Sequence, residues 1–471
     1  MKAYQKLLSN SIIFAIGNIG NKFIIFLLIP MYTYYLSVSE YGEADLITTT
    51  ISLLVPIFSI SISEAILRYA MDESVDREAL FTSTIVIFFI GFIVSLLFAP
   101  LINMALPFSN NFVQFYLLLL IQCLYMVFSQ YARGIGEVRI FAWSSILNAI
   151  TMLIITPILL GLFNLGVKGY IYTFLFSFGV GSIYIYWNLK IYKLINFSKV
   201  SYKLSRTMIL YSIPLIPNSI MWWVMSFSDR YLISFFLGMS ANGLYAVANK
   251  IPSVINIFNT IFIQAWQLSA VEEDSSDRSN FYSSVFKYLS GCMLIATSLI
   301  LIFLKGIMGV VVSEEFYSAW EYVPFLLLGI VFSCFSGFLG TTYIVQKKTF
   351  AVLRTSFLGA VLNIIITLIL LPLIGLNGAS LATCLSFLSI WLLRSFELRK
   401  HVKIKLDKLP FLLSFMVILI QIYLLYNMNS FANLSQLTCF LLLLIIQIKI
   451  IKRMIKLAFV LINKKLNKRK Q

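Results

Sequence analysis

Apolar residues run through this chain in long uninterrupted blocks. About fourteen of them reach the roughly 20 residues that a helix needs to cross a bilayer. The first two lie over 10–36 and 44–68, the seventh and eighth over 207–237 and 243–268, and the last two over 409–426 and 431–448. In lipid such segments satisfy their backbone hydrogen bonds as helices, so the pattern predicts an all-α polytopic membrane protein. Composition agrees: 60% of the 471 residues are hydrophobic and 12% charged, with a mean hydropathy of +0.91, which excludes a water-soluble domain. The first block follows Lys2 and Lys6 as a signal peptide would, but it is too long and has no small-residue cleavage site, so it reads as a retained helix.

Charge gives the orientation. With the N-terminus inside, the termini and the even-numbered connections take 31 of the 36 Lys and Arg, Lys168 and Lys305 fall outside, and Lys22, Arg230 and Lys250 stay in or near the spans. That bias predicts cytoplasmic N- and C-termini. It also accounts for most of the net charge of +17 as an attraction to an anionic leaflet, with no nucleic-acid partner. The tail over 449–462 fits an amphipathic helix lying along the interface. Cys123, Cys292, Cys334, Cys384 and Cys439 all fall inside spans without metal-like spacing and read as packing residues; no cofactor is expected.

The chain repeats itself. At an offset of 201 residues, YLSVSEYGEADLI (35–47) lies on FLGMSANGLYAVA (236–248) without a gap, pairing Leu36 with Leu237, Ser39 with Ser240 and Gly42 with Gly243. Six helices separate the copies, so both start on the same side, as parallel repeats do in several secondary transporters. The expected organisation is an N-terminal six-helix lobe over 1–189, a basic cytoplasmic linker over 190–206, a C-terminal six-helix lobe over 207–400, and two appended helices with a basic tail over 401–471.

Polar stripes mark the first two helices of each lobe. Asn18, Asn21 and Lys22 share one face of the first, and Glu64 and Arg68 stand at i, i+4 on the second. Asn218, Trp222 and Asp229 form a stripe on the seventh with Arg230 beside it, and Lys250 opens the eighth, ahead of Asn256, Thr260, Gln264 and Gln267. A charge in a span normally faces a protein interior or a watery cavity and has a partner. The simplest arrangement turns the four stripes on one another around a hydrated, positively biased central cavity. Each residue has a structural alternative: Arg68 as the end of its helix with Glu64 neutralising it, Asp229 and Arg230 as a locking pair, Lys250 snorkelling to an interface, and Trp222 packing or facing lipid instead of stacking on a sugar.

The segment DRYLISFFLGMSANGLYAVANKI (229–251) and its first-half counterpart PMYTYYLSVSEYGEADLI (30–47) resemble polysaccharide flippases of the Wzx type, in the multidrug/oligosaccharidyl-lipid/polysaccharide (MOP) superfamily. The resemblance extends to length, helix count and basic ends, and is specific for the family without naming a sugar. It implies a MATE-like fold of two six-helix lobes around a cationic cavity. It further implies a carrier in the bacterial plasma membrane that moves undecaprenyl-pyrophosphate-linked repeat units to the outer leaflet for capsule, exopolysaccharide or O-antigen assembly, beside a polymerase and the chain-length machinery.

On this reading Arg230, Lys22 and Lys250, with Arg68 behind them, hold the pyrophosphate by charge-assisted hydrogen bonds. Glu64 and Asp229 either tune these cations or carry a coupling proton; sodium and the membrane potential are the other drives. A MATE-type drug or cation antiporter shares the fold but calls for acidic cavity residues without so many cations. A membrane-embedded polymerase, glycosyltransferase or acyltransferase needs catalytic groups that the short outer connections and the single histidine, His401 in a basic cytoplasmic connection, do not supply.

Overall fold

The computed structural model describes residues 26–72, 74–100, 103, 111–272, 278–345, 349–399, 407–427 and 432–453. Lys22, Asn18, Asn21, His401 and most of the tail over 449–462 lie outside them. The described residues contain helices and connections and no strand. Among the described residues, nine helices are long and apolar enough to cross a membrane, or ten when one bent pair is taken as a single span. This is a multi-pass membrane protein. The first expected span, 10–36, is described only from residue 26 and so does not enter that count.

Packing divides the chain into two compact units, Met1–Ala246 and Val247–Gln471. The first holds α1 (26–35), α2 (Val38–Phe58), α3 (Ile62–Ala70), α4 (Arg77–Leu97), α5 (Phe112–Gly134), α6 (Val138–Thr156), α7 (Gly166–Asn188), α8 (Tyr202–Ser212), α9 (Leu215–Leu237) and most of α10 (Met239–Ala248). By the repeat, α8, α9 and α10 belong to the second lobe; by packing they join the first unit.

α2 starts with a capping box, in which the Glu40 amide donates to Ser37 Oγ at 3.3 Å and the Ser37 amide to Glu40 Oε2 at 2.9 Å. The expected second span, 44–68, is broken. Ile60 and Ser61 take left-handed φ values of 53° and 49°, and α3 leaves α2 at 59°. Side-chain-bearing residues hold that conformation only where packing imposes it.

Connections sort to two ends of this unit. At one end Asn111 Nδ2 donates to Glu43 Oε1 at 2.8 Å, and a Cβ on Gly166 would lie 2.5 Å from Glu40 Oε1. At the other, a Cβ on Gly134 would meet that of Ala70 at 2.7 Å, and the linker residue Lys199 reaches Asp76 at 3.1 Å and Glu78 at 3.3 Å. The charge count assigns the first set to one face of the bilayer and the second to the other, and the fold gathers each set together. Thr82 Oγ1 donates to the Leu194 carbonyl and accepts from the Asn196 amide, both at 2.9 Å. The expected linker is therefore docked on the start of α4.

The second unit holds α11 (Lys250–Glu272), α12 (Arg278–Val311), a 3₁₀ stretch (Glu314–Tyr322), α13 (Val323–Val345), α14 (Thr349–Ile374), α15 (Leu376–Leu398), α16 (Lys408–Asn427) and α17 (Ala432–Ile446). Buried amides attach the two appended helices. Ser298 Oγ of α12 donates to Gln421 Oε1 at 2.7 Å, Gln421 Nε2 returns a bond to the Ser298 carbonyl at 3.1 Å, and Gln436 Nε2 donates to the Gln421 carbonyl at 2.8 Å. In an apolar medium such bonds hold helices that hydrophobicity cannot.

Arg394 is the surprise of this unit. The charge count places it with the basic connections, but it is 3% exposed and ties three helices. Its Nε donates to Thr355 Oγ1 at 2.9 Å, Nη1 to the Ser336 carbonyl at 2.8 Å and Nη2 to Ser356 Oγ at 3.1 Å. The five-donor fork of a guanidinium suits this role and an ammonium does not.

Two outcomes follow. Arg394→Leu orphans these acceptors at about 1–3 kcal/mol each; the expected result is a fall of several degrees in the melting temperature of the purified protein, with Arg394→Lys rescuing it only in part. The linker latch is pH-dependent. The hydrogen bond from Lys199, helped by the Glu78 amide, holds the Asp76 carboxyl below its usual range, and the same contacts with Asp76 and Glu78 raise the Lys199 ammonium. A depressed carboxylate stabilises above its unfolded value and loses that contribution as pH falls through its folded one, whereas the raised lysine keeps its contribution up to alkaline pH. Limited proteolysis of the 190–201 segment is expected to accelerate on acidification through the Asp76 titration and on adding salt; a flat profile in both would remove the latch.

Candidate functional site

The two copies of the repeated turn pack on each other. A Cβ on Gly42 would lie 2.0 Å from the Met239 carbonyl oxygen, and one on Gly243 would lie 1.9 Å from the Val38 carbonyl oxygen. At the offset of 201, Val38 is the counterpart of Met239 and Gly42 of Gly243, so the contact is reciprocal, as at a two-fold axis. Both positions require glycine because a backbone carbonyl occupies the space of the side chain. The repeat is thus visible in three dimensions as an α2–α10 crossing at backbone distance.

Polar groups line the seam next to this crossing. Arg230 Nε of α9 stands 2.7 Å from Asp45 Oδ2 of α2, a charge-to-charge contact too bent for a hydrogen bond. The Tyr245 hydroxyl of α10 donates to Asp229 Oδ2 at 2.6 Å. Asn242 Nδ2 donates to the Gly42 carbonyl and Trp223 Nε1 to the Thr49 carbonyl, both at 2.8 Å; Thr50 and Tyr231 share a hydroxyl–hydroxyl bond. The Arg230 guanidinium also lies 5.2 Å from the Tyr245 ring centroid, within cation–π range. Asp229 and Arg230 are 5% and 4% exposed. Among the described residues, Asp229 Oδ1 and Arg230 Nη1 have no hydrogen-bond partner.

The adjacent Asp-Arg pair is therefore not an isolated couple. Each residue serves a different neighbour, Arg230 the α2 carboxylate and Asp229 the α10 phenol. Breaking a buried pair by removing one partner costs about 3–5 kcal/mol, because the remaining charge is left unpaired.

The other expected site residues are placed elsewhere. Asn218 and Trp222 sit on an exposed part of α9, without a hydrogen bond to the Asp45–Arg230 cluster. Glu64 and Arg68 are both exposed on α3; among the described residues no ion pair joins them. Lys250 is half-buried at the start of α11, followed by exposed Asn256 and Thr260. Asp45 escaped the sequence reading. Its signal was present: it is the one acidic residue in the first half of the second span and stands three residues after the repeated glycine. Tyr245 and Asn242 lie in the 229–251 segment that carries the resemblance, but no charge marks them as partners of this cluster. Among the described residues no three His, Cys, Asp or Glu converge to hold a metal ion.

Overpacking at such a crossing typically costs about 1–3 kcal/mol. Gly42→Ala and Gly243→Ala are each expected to lower the melting temperature. Because one parting of the helices relieves both clashes, the double variant is expected to lose clearly less than the sum; additivity would mean that the two glycines do not share one contact.

Solved structures that share this fold include carriers. The chain aligns with the "Lipid II flippase MurJ, inward closed conformation" at a TM-score of 0.66 and 18% identity, over 95% of this chain and 99% of that one. It aligns with the "Inward-facing conformation of a multidrug resistance MATE family transporter of the MOP superfamily" at 0.66 and 14%, over 80% and 95%. A Vibrio cholerae MATE transporter, VcmN, follows at 0.58 and 13%, over 84% and 97%. Among curated sequences, the chain is 29% identical over 218 residues to the "Probable low-salt glycan biosynthesis flippase Agl15" of Haloferax volcanii, and the match spans 45% of each protein. Residues 7–267 match the sequence model of the family described as "Polysaccharide biosynthesis protein", and the chain belongs to that family.

Proposed function

We propose that this protein is a flippase that carries undecaprenyl-pyrophosphate-linked oligosaccharide repeat units from the cytoplasmic to the outer leaflet of a bacterial plasma membrane, for capsule, exopolysaccharide or O-antigen assembly. The observation that carries the reading is the family match over residues 7–267. The partial likeness to a probable glycan biosynthesis flippase and a fold in common with a lipid II flippase support it. The protein acts as a carrier, not an enzyme. Its N- and C-termini are cytoplasmic, and the polysaccharide polymerase and chain-length machinery are its partners on the pathway.

The substrate joins a dianionic head and a polar glycan to a long apolar tail. Arginine and lysine suit the head, the first by bidentate and the second by point-charge contacts. Lys22, Arg68 and Arg230 are the candidates in the first unit and Lys250 in the second; Asn18, Asn218 and Trp222 are candidates for the sugar. Arg230 is engaged by Asp45 at 2.7 Å, so it meets the pyrophosphate only in a state where α2 and α9 have parted. Such exchange of partners is what alternating access requires of a residue that serves both lock and substrate. Ion coupling supplies the direction.

The test is translocation of a labelled polyprenyl-pyrophosphate oligosaccharide in proteoliposomes. The expected outcome is transport by the native chain and a loss of tenfold or more in Arg230→Gln and Lys22→Gln, with each rate taken per amount of folded protein in the vesicles. Drug efflux by the native chain without movement of any lipid-linked glycan would replace the proposal with the MATE-type antiporter that its fold also accommodates.

A further inference from the structure

Two carboxylates and one guanidinium are enclosed together on the α2–α9–α10 seam. Asp45, Asp229 and Arg230 are 7%, 5% and 4% exposed. With both acids ionised, the trio would hold one negative charge more than it can balance. Among the described residues, the other titratable groups that face it are Tyr41 of α2, Tyr170 of α7 and Tyr245 of α10. They are phenols and bring no second positive charge. A buried charge without a counter-charge neutralises by binding or releasing a proton.

The geometry shows which acid does so. Asp45 has the direct contact with Arg230 at 2.7 Å. Asp229 has one oxygen on the Tyr245 hydroxyl at 2.6 Å, and its other oxygen, Oδ1, is buried without a partner among the described residues. We infer that this trio is a binding site for one exchangeable proton, carried on Asp229 Oδ1.

Occupancy decides how Arg230 pairs. With the proton bound, Asp229 is neutral and the guanidinium belongs to Asp45, which ties α9 to α2. When the proton leaves for water, Asp229 becomes a second carboxylate beside the same guanidinium and competes with Asp45 for it, and the tie loosens. Arg230 Nη1, which has no acceptor among the described residues, is the donor free to make the new contact. Two carboxylates that share a site hold one proton between them for the same electrostatic reason. The link from this site to transport rests on the flippase reading; the proton site itself does not.

Isotope-edited infrared spectroscopy of the full chain in lipid, with labelled aspartate carboxyl carbons, tests the site directly. At neutral pH the native protein is expected to show the carbonyl band of one protonated aspartic acid. The band is expected to vanish in Asp229→Asn. It is also expected to vanish in Asp45→Asn, where Asp229 becomes the sole anion for Arg230 and ionises. No protonated-aspartate band in the native protein, or a band that persists in Asp229→Asn, overturns the inference. So does an absent band combined with thermal stabilisation by sodium chloride over choline chloride, which would assign the site to a metal cation. In proteoliposomes the native rate is expected to depend on pH and that of Asp229→Asn to be flat. If the native chain moves no lipid-linked glycan while the infrared result stands, the flippase reading fails and the proton site survives.

Discussion

A cation inside an apolar helix cannot stand alone, and Arg230 sets the terms for the helices around it. Leaving such a charge unpaired at mid-membrane costs about 2.5–3.5 kcal/mol on insertion scales, so α9 has to lie where another helix presents an acid. Asp45 on α2 provides it at 2.7 Å. The ring of Tyr245, the indole of Trp223 and the amide of Asn242 close over the same seam, each giving a donor or a π-face to a group that lipid could not solvate.

The seam joins two copies of one turn, and symmetry explains both what they share and where they differ. A reciprocal crossing at backbone distance requires a residue without a side chain on each copy, and Gly42 and Gly243 answer each other across it. An ion pair imposes the opposite demand, since a two-fold axis that brings a residue close to its own counterpart brings like charge against like. The charged positions have accordingly diverged. Asp45 corresponds to Ala246 and Arg230 to Ile29 at the offset of 201. The backbone repeats, and the chemistry laid on it cannot.

Elsewhere the same rule of satisfied polar groups fixes the attachments. Arg394 holds α13, α14 and α15 through neutral oxygens, and Gln421 fastens the appended helices to α12. The linker is docked by Thr82 and Lys199. Lipid already solvates the apolar exterior, so hydrophobicity does not tell these helices where to sit; close packing and interhelical hydrogen bonds do.

The sequence by itself determined that the chain is a bundle of membrane helices, how basic and acidic connections alternate, where the repeat lies and which family the chain resembles. These are properties of composition and order along the chain, and the bilayer reads them one segment at a time. It also singled out Asp229 and Arg230, because charges in apolar runs are conspicuous. Their partners were decided only in three dimensions. Tyr245 and Asn242 look like ordinary residues of a short helix, and Asp45 lies 185 residues before Arg230. The i, i+4 spacing of Glu64 and Arg68 permits a pair on one helix face, but after the break at Ile60 and Ser61 both are exposed on a short separate helix. Spacing along a helix says which side chains can meet on one face, whereas the approach of two helices depends on the glycines, carbonyls and hydroxyls between them, and those interactions exist only after the helices have packed.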